Sequence, residues 1–233
     1  MADFEKDAWL FYKGVPIDFE VPKEIVGPIH TIGDSHVNIL RDVLSKVFVH
    51  LVPRKSISAY AIQDKRQNEF DKYLSQIPIG DKLLSYFGEI DCRHYVPKIA
   101  REQNRTIENI VTEIVERYSQ NFLSLLKDKY RLIVLSPYIG PDDHNHTNYT
   151  SLEKWSNSYN EIFEAKKTFT ELIRKYCESE GIAYVPTYEV SLQNSWDTAP
   201  IGTYFNDTSH LGPCMIPLIF DSIKGFKWKG FDY

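Results

Sequence analysis

The chain has only three cysteines in 233 residues, Cys92, Cys177 and Cys214, too few to build a disulfide framework. Their number is odd and no CxxC pair occurs, so reduced, buried thiols are the expectation rather than a stapled secreted scaffold or a redox pair. No apolar run approaches the ~20 residues of a membrane span, so none is expected. Basic charge is also short: 27 Lys and Arg stand against 32 Asp and Glu, a formal net charge of -5. With the basic residues scattered among acidic ones, nothing draws the chain to a phosphate backbone, and no nucleic-acid partner is expected. The opening MADFEKDAWL lacks the basic-then-apolar layout of a signal peptide, which makes a cytoplasmic location the expectation. Sequons at Asn104, Asn145, Asn148 and Asn206 would matter only in a secreted protein. Internal repeats, low-complexity tracts and linkers are missing too, and residues 1–233 are read as a single domain.

What remains is an ordinary globular composition, 42% apolar and 25% charged, which disfavours disordered, collagen-like and coiled-coil classes. Short apolar runs alternate with longer amphipathic ones, the pattern of a parallel sheet covered on both faces. Strands are expected at residues 24–32, 55–62, 82–87, 131–136 and 182–188, the last at an edge or bent at Pro186. Helices are expected at residues 38–47, 106–127, 152–180 and 214–223. Thr106 is placed as an N-cap and Gly181 as a C-cap. The fold class is therefore α/β, with a five-stranded parallel sheet between helices.

In such sheets ligands sit at the carboxyl ends of the strands. Three of those ends carry unusual chemistry: Gly33-Asp34-Ser35-His36, Gly88-Glu89-Ile90-Asp91 and Ser136-Pro137. In IGDSH a glycine lets the backbone bend sharply just before a small hydroxyl residue, which exposes Ser35. A serine hydroxyl needs a base to take its proton, and an imidazole held by a carboxylate is the usual device. Asp207 and His210, in DTSH near the other end, lie three positions apart and share one face of a helical turn. The chain order is Ser, Asp, His.

IGDSH and DTSH resemble the first and last sequence blocks of the SGNH/GDSL hydrolases, and the span between them covers most of the chain. The resemblance implies a flavodoxin-like three-layer α/β/α fold and acyl cleavage or transfer on lipids, esters or sugar hydroxyls. It maps Ser35 to the nucleophile, His210 to the base and Asp207 to its orienter, with no cofactor. The family's oxyanion donors are a glycine after the second strand and an asparagine in a GxND block after the third. Here Ile90 stands where the asparagine belongs, and KSISAYAIQ has no glycine. The Ser35 and Gly88 amides are the candidate replacements. Arg93 is a candidate to hold an oxyanion or an anionic group, and Glu89, Asp91 and His36 are further substrate-binding candidates. The pairing of GEIDCR with GDSH resembles an SGNH-like subgroup tied to glycan building, which implies an O-acylated carbohydrate or small ester as substrate.

Plainer readings stand beside these. Ser35 is also a helix N-cap candidate; Glu89, Asp91 and Arg93 also suit an internal salt-bridge network; His36 also suits packing. Cys92 beside His94 makes a poor nucleophile pair, because neighbouring side chains diverge. Asp142, Asp143, His144 and His146 read as a solvated loop, and no metal is expected. The aromatic tail, residues 225–233, reads as packing on the domain. An α/β-hydrolase elbow would need G-x-S-x-G, and Val37 occupies its last glycine position. A phosphoester enzyme would need basic or metal-binding groups around Ser35. The alternative from another class is a catalytically inactive SGNH-fold protein that binds or scaffolds glycans.

Overall fold

The protein is described from a computed structural model, covering residues 28–37, 48–50, 58–63, 67–140, 157–194 and 215–231. Five strands, β1 (Ile29–Gly33), β2 (Phe48–His50), β3 (Lys82–Tyr86), β4 (Arg131–Leu135) and β5 (Ala183–Val185), form one sheet in the order β2-β1-β3-β4-β5. Every pairing is parallel. This is the flavodoxin-like order of a doubly wound sheet. The helices are α1 (Gln67–Leu74), α2 (Val96–Gln103), α3 (Ile107–Tyr118), α4 (Tyr159–Glu180), α5 (Thr187–Gln193) and α6 (Met215–Ile223).

The strand period of two sorts each strand's apolar residues to opposite faces. Ile32, Leu83, Leu132 and Val134 point into one core with Ile110, Val111 and Ile114 of α3 and Phe169, Ile173 and Cys177 of α4. Ile29, Leu84, Tyr86, Ile133 and Leu135 point into the other, against Met215, Ile216, Ile219 and Phe220 of α6. Both faces of the sheet are thereby covered, which gives three layers. The tail packs as expected: Trp228 joins the second core and donates its indole N–H to the Leu132 carbonyl at 2.8 Å.

The helix ends follow local chemistry. Thr106 caps α3 by accepting the Asn109 amide. At α4, Ser158 accepts the Glu161 amide while the Glu161 carboxylate accepts the Ser158 amide, a complete capping box, and Gly181 closes the helix at φ 70°. The helix expected over 106–127 is interrupted: α3 passes into a π turn at Ser119–Leu123 and a last turn at Ser124–Leu126. Among the described residues no helix is long and apolar enough to cross a membrane.

The second and fifth strands differ most from expectation, and the first begins at Ile29 rather than at 24. Of the segment expected as the second strand, 55–62, residues 58–63 form a turn and a 3-10 helix, Tyr60–Gln63, and the strand is Phe48–His50 instead. The turn is pressed onto the domain, with Ser58 and Ala59 buried and Tyr60 exposed. The fifth strand stops at Pro186, and Thr187 already begins α5. Residues 38–47, expected as a helix, lie outside the described residues, as does Cys214. Cys92 and Cys177 are buried free thiols.

Ser158→Ala removes one half of the capping box, so it is expected to lower unfolding free energy by about 1 kcal/mol in urea titrations, with the slope unchanged.

Candidate functional site

The order β2-β1-β3 makes the carboxyl ends of β1 and β3 the point where the chain reverses its winding, and crevices for ligands form there. Both ends carry the motifs singled out above. Gly33 pairs with Tyr86, and the ladder runs one step further through Asp34, whose amide donates to the Tyr86 carbonyl at 3.1 Å. Glycine at 33 is dictated by that closeness: a Cβ there would lie 2.3 Å from the Tyr86 oxygen and 2.8 Å from a Val37 methyl. Ser35 then opens a 3-10 turn, Ser35–Val37. The side chain that braces this turn is Asp34, whose Oδ1 accepts the His36 amide at 3.0 Å. The capping role considered for Ser35 falls on a side chain and a helix that lie outside the described residues. Burial, reinforced by the nearby Glu89 carboxylate, pushes the Asp34 carboxyl well above the ordinary range.

On the β3 side the chain turns at Gly88, held at φ 106°, where a Cβ would meet the Phe169 ring at 2.5 Å. Both its backbone conformation and this contact require glycine. The segment then enters a π turn at Asp91–Tyr95, continued by α2. Pro97 explains this turn. It has no N–H to give the Arg93 carbonyl four residues back, and its ring would crowd that oxygen. The Val96 amide instead reaches the Asp91 carbonyl, five residues back. The Arg93 carbonyl is taken by Nδ2 of Asn157 at 2.7 Å, just before the α4 cap.

The π turn swings Arg93 back over Glu89, with Nη2 3.1 Å from Oε2. Glu89 is buried and has two more cationic or polar neighbours. Nζ of Lys166 lies 3.0 Å from Oε1. Nε2 of His36 lies 2.9 Å from Oε2. Burial alone would raise the Glu89 carboxyl, but Arg93, Lys166 and His36 outweigh it and hold it well below the usual range. Asp91 does not join this group. Its carboxylate accepts the amides of Ala59 at 2.7 Å and Tyr60 at 3.0 Å, fastening the loop after β2 to the turn after β3. Burial outweighs those bonds and pushes its carboxyl up to about 6.

Of the residues singled out from sequence, the structure brings Ser35, His36, Gly88, Glu89, Asp91 and Arg93 to adjacent strand ends. Glu89, Asp91 and His36, considered for substrate contact, are buried and engaged with protein groups. Ser136 is likewise structural, its hydroxyl accepting the Tyr188 amide at 3.0 Å and so joining the ends of β4 and β5. Asp207, His210 and the loop of residues 141–150 lie outside the described residues, as does the side chain of Ser35.

Two members were missed from sequence. Lys166 sits on the buried stripe of α4 with Ile162, Ala165, Phe169 and Ile173, and a lysine on an otherwise apolar face was the available signal. Tyr138, three residues past the end of β4, meets Nδ1 of His36 through its hydroxyl at 2.9 Å. No pattern marks it in the sequence.

No family model matches the chain, and no curated protein matches it. Among solved structures it is similar to an acetyl xylan esterase, at 12% identity and a TM-score of 0.49, over 85% of this chain and 98% of that one. It is also similar to a protein from Slackia heliotrinireducens assigned as an SGNH hydrolase, at 10% identity and a TM-score of 0.46, over 86% of this chain and 98% of that one. The functional reading rests on the site itself.

Asp91 generates a pH dependence opposite to that of most carboxylates. Its folded pKa of about 6 lies above the unfolded value near ~3.9, so its stabilising protonated form is complete below pH ~4 and is lost as pH rises through about 6. The unfolding free energy of the parent protein relative to Asp91→Asn is expected to fall by on the order of 2–3 kcal/mol between pH 4 and 7. A difference that stays flat, or grows with pH, contradicts this account of Asp91.

Proposed function

We propose that the chain is a serine ester hydrolase of the SGNH type, acting through an acyl-enzyme on Ser35 with His210 as base and Asp207 as its orienter. The observation that carries this reading is the position of Ser35. It lies two residues past the end of β1, beside β3, at the switch point of the sheet, with the Gly88 turn on the neighbouring strand end. A serine used only to start a helix needs neither that position nor an adjacent aspartate already bracing the turn.

In the proposed reaction the Ser35 hydroxyl adds to the acyl carbonyl as His210 takes its proton, and the carbonyl oxygen gains the negative charge. The backbone amides of Ser35 and Gly88 are the donors assigned to that oxyanion, since Ile90 offers no side-chain donor. Collapse of the adduct expels the alcohol, which takes the proton back from His210 and leaves the acyl group on Ser35. Water, activated by the same imidazole, then releases the acid. A sugar hydroxyl in place of water would make the same centre an O-acyltransferase. The substrate class assigned is an O-acylated carbohydrate or a small ester, by the resemblance of the GDSH and GEIDCR blocks.

The second reading, an inactive glycan-binding or scaffold protein on this fold, is favoured by one observation, the isoleucine at position 90. Losing an oxyanion donor typically costs ~100-fold or more in rate. A fluorophosphonate probe and short-chain aryl esters separate the two readings. The parent protein is expected to be labelled on Ser35 and to hydrolyse the ester, while Ser35→Ala loses the label and at least ~1,000-fold in kcat with an unchanged melting curve. A parent protein that neither labels nor turns over ester supports the inactive scaffold.

A further inference from the structure

The polar contacts beneath the Ser35 turn close into a ring. His36 meets Oε2 of Glu89 at 2.9 Å, and Oε1 of Glu89 meets Nζ of Lys166 at 3.0 Å. The same ammonium donates to the Tyr138 carbonyl at 2.7 Å, and the Tyr138 hydroxyl returns to Nδ1 of His36 at 2.9 Å. Nζ of Lys166 also stands 5.3 Å from the centre of the Tyr138 ring. The four members come from the turn after β1, the turn after β3, the middle of α4 and the segment after β4. None is more than 1% exposed.

A closed ring of buried polar groups is stiff for a definite reason. Moving any one member breaks two contacts at once, and water cannot replace what is lost without opening the core. Three members belong to the ends of β1, β3 and β4, which are neighbours in the sheet. The β1 to β3 ladder itself ends at the Asp34 amide, one residue short of Ser35. Beyond that step, side chains rather than ladder hydrogen bonds hold the two turns in register.

We infer that the ring of His36, Glu89, Lys166 and Tyr138 sets the separation between Ser35 and the Gly88 amide, so that rigid turns substitute for the side-chain oxyanion donor that Ile90 cannot provide. The inference rests on the reading of Ser35 as nucleophile. A side-chain donor can adjust by rotating, whereas a backbone amide moves only with its turn. Oxyanion donors must lie within 2.7–3.1 Å of the developing charge, and a misplacement of ~1 Å can cost ~100-fold in rate. Lys166 and Tyr138 are positioning residues in this scheme. The buried stripe of α4 would be filled more cheaply by an aliphatic residue at 166, because a buried ion pair rarely outweighs its own desolvation.

Two variants test the ring. Tyr138→Phe removes a single hydroxyl. Glu89→Gln combined with Lys166→Met removes the Glu89–Lys166 charge pair together and leaves a neutral amide facing Arg93 and His36. Each is compared with the parent for p-nitrophenyl acetate hydrolysis, for the rate of fluorophosphonate labelling at Ser35, and for amide hydrogen exchange in peptides covering residues 33–37 and 87–90. The expected result is a fall in kcat of at least tenfold in Tyr138→Phe and more in the double variant. KM should stay within about twofold, and exchange should quicken in the two turns but not in β4. If the parent is active and both variants keep kcat within twofold, the ring has no positioning role. Faster exchange throughout the sheet overturns it as well, since the loss is then one of global stability. If the parent itself neither labels nor turns over, the nucleophile reading fails and the inference falls with it. Should the double variant not fold, Tyr138→Phe decides alone.

Discussion

The carboxylate of Glu89 is the point on which the carboxyl end of the sheet depends. Burying a bare carboxylate costs several kcal/mol, and the site tolerates it only because Arg93, Lys166 and His36 converge on its two oxygens. Each partner arrives by a different local device. His36 is delivered by the 3-10 turn that Asp34 braces, and Arg93 by the π turn that Pro97 forces. Lys166 is delivered by α4, whose start is fixed by the Ser158 capping box and by Asn157 taking the Arg93 carbonyl. The devices are coupled: the carbonyl that Pro97 leaves without its helical donor is the one that ties α4 to the π turn.

This coupling explains why the segment FGEIDCR departs from an ordinary strand-to-helix turn. Glu89 and Asp91 are both buried acids two residues apart, yet they face different tasks. Glu89 meets Arg93, Lys166 and His36 from three elements, and Asp91 captures two amides from the loop after β2. Together they draw the segments after β1, β2, β3 and β4 toward one switch point. A serine placed there gains fixed surroundings from these acids. Electrostatic preorganisation of this kind is worth most where the donors to the transition state are few.

Much of the fold was legible because its signals are periodic. β3, β4, α3 and α4 stand out by apolar spacing, and the caps at Thr106 and Gly181 follow from residue chemistry at the helix ends, whereas the Ser158 cap was not read. The second strand was misread for a physical reason: three residues, Phe48–His50, are too few to display alternation. The segment that reads as a strand instead forms a turn and a 3-10 helix, with Ser58 and Ala59 buried in succession. At the site, Ser35 and the acids of GEIDCR were visible as motif residues. The ring was not, because its closure depends on Tyr138 and Lys166, 102 and 130 residues after His36 in the numbering, and on a π turn that no hydrophobic period announces. A proline just inside a helix and a lysine on its partner's apolar stripe were the only local signs.

The central claim is that Ser35 carries an acyl group during turnover. The most direct measurement is peptide mass spectrometry of the protein after acid quenching in the first seconds of reaction with excess p-nitrophenyl acetate. The account predicts an acetyl adduct on Ser35 that forms in step with a burst of nitrophenol and decays on dilution. Nitrophenol release with no adduct on Ser35, or an adduct on another residue, would contradict it.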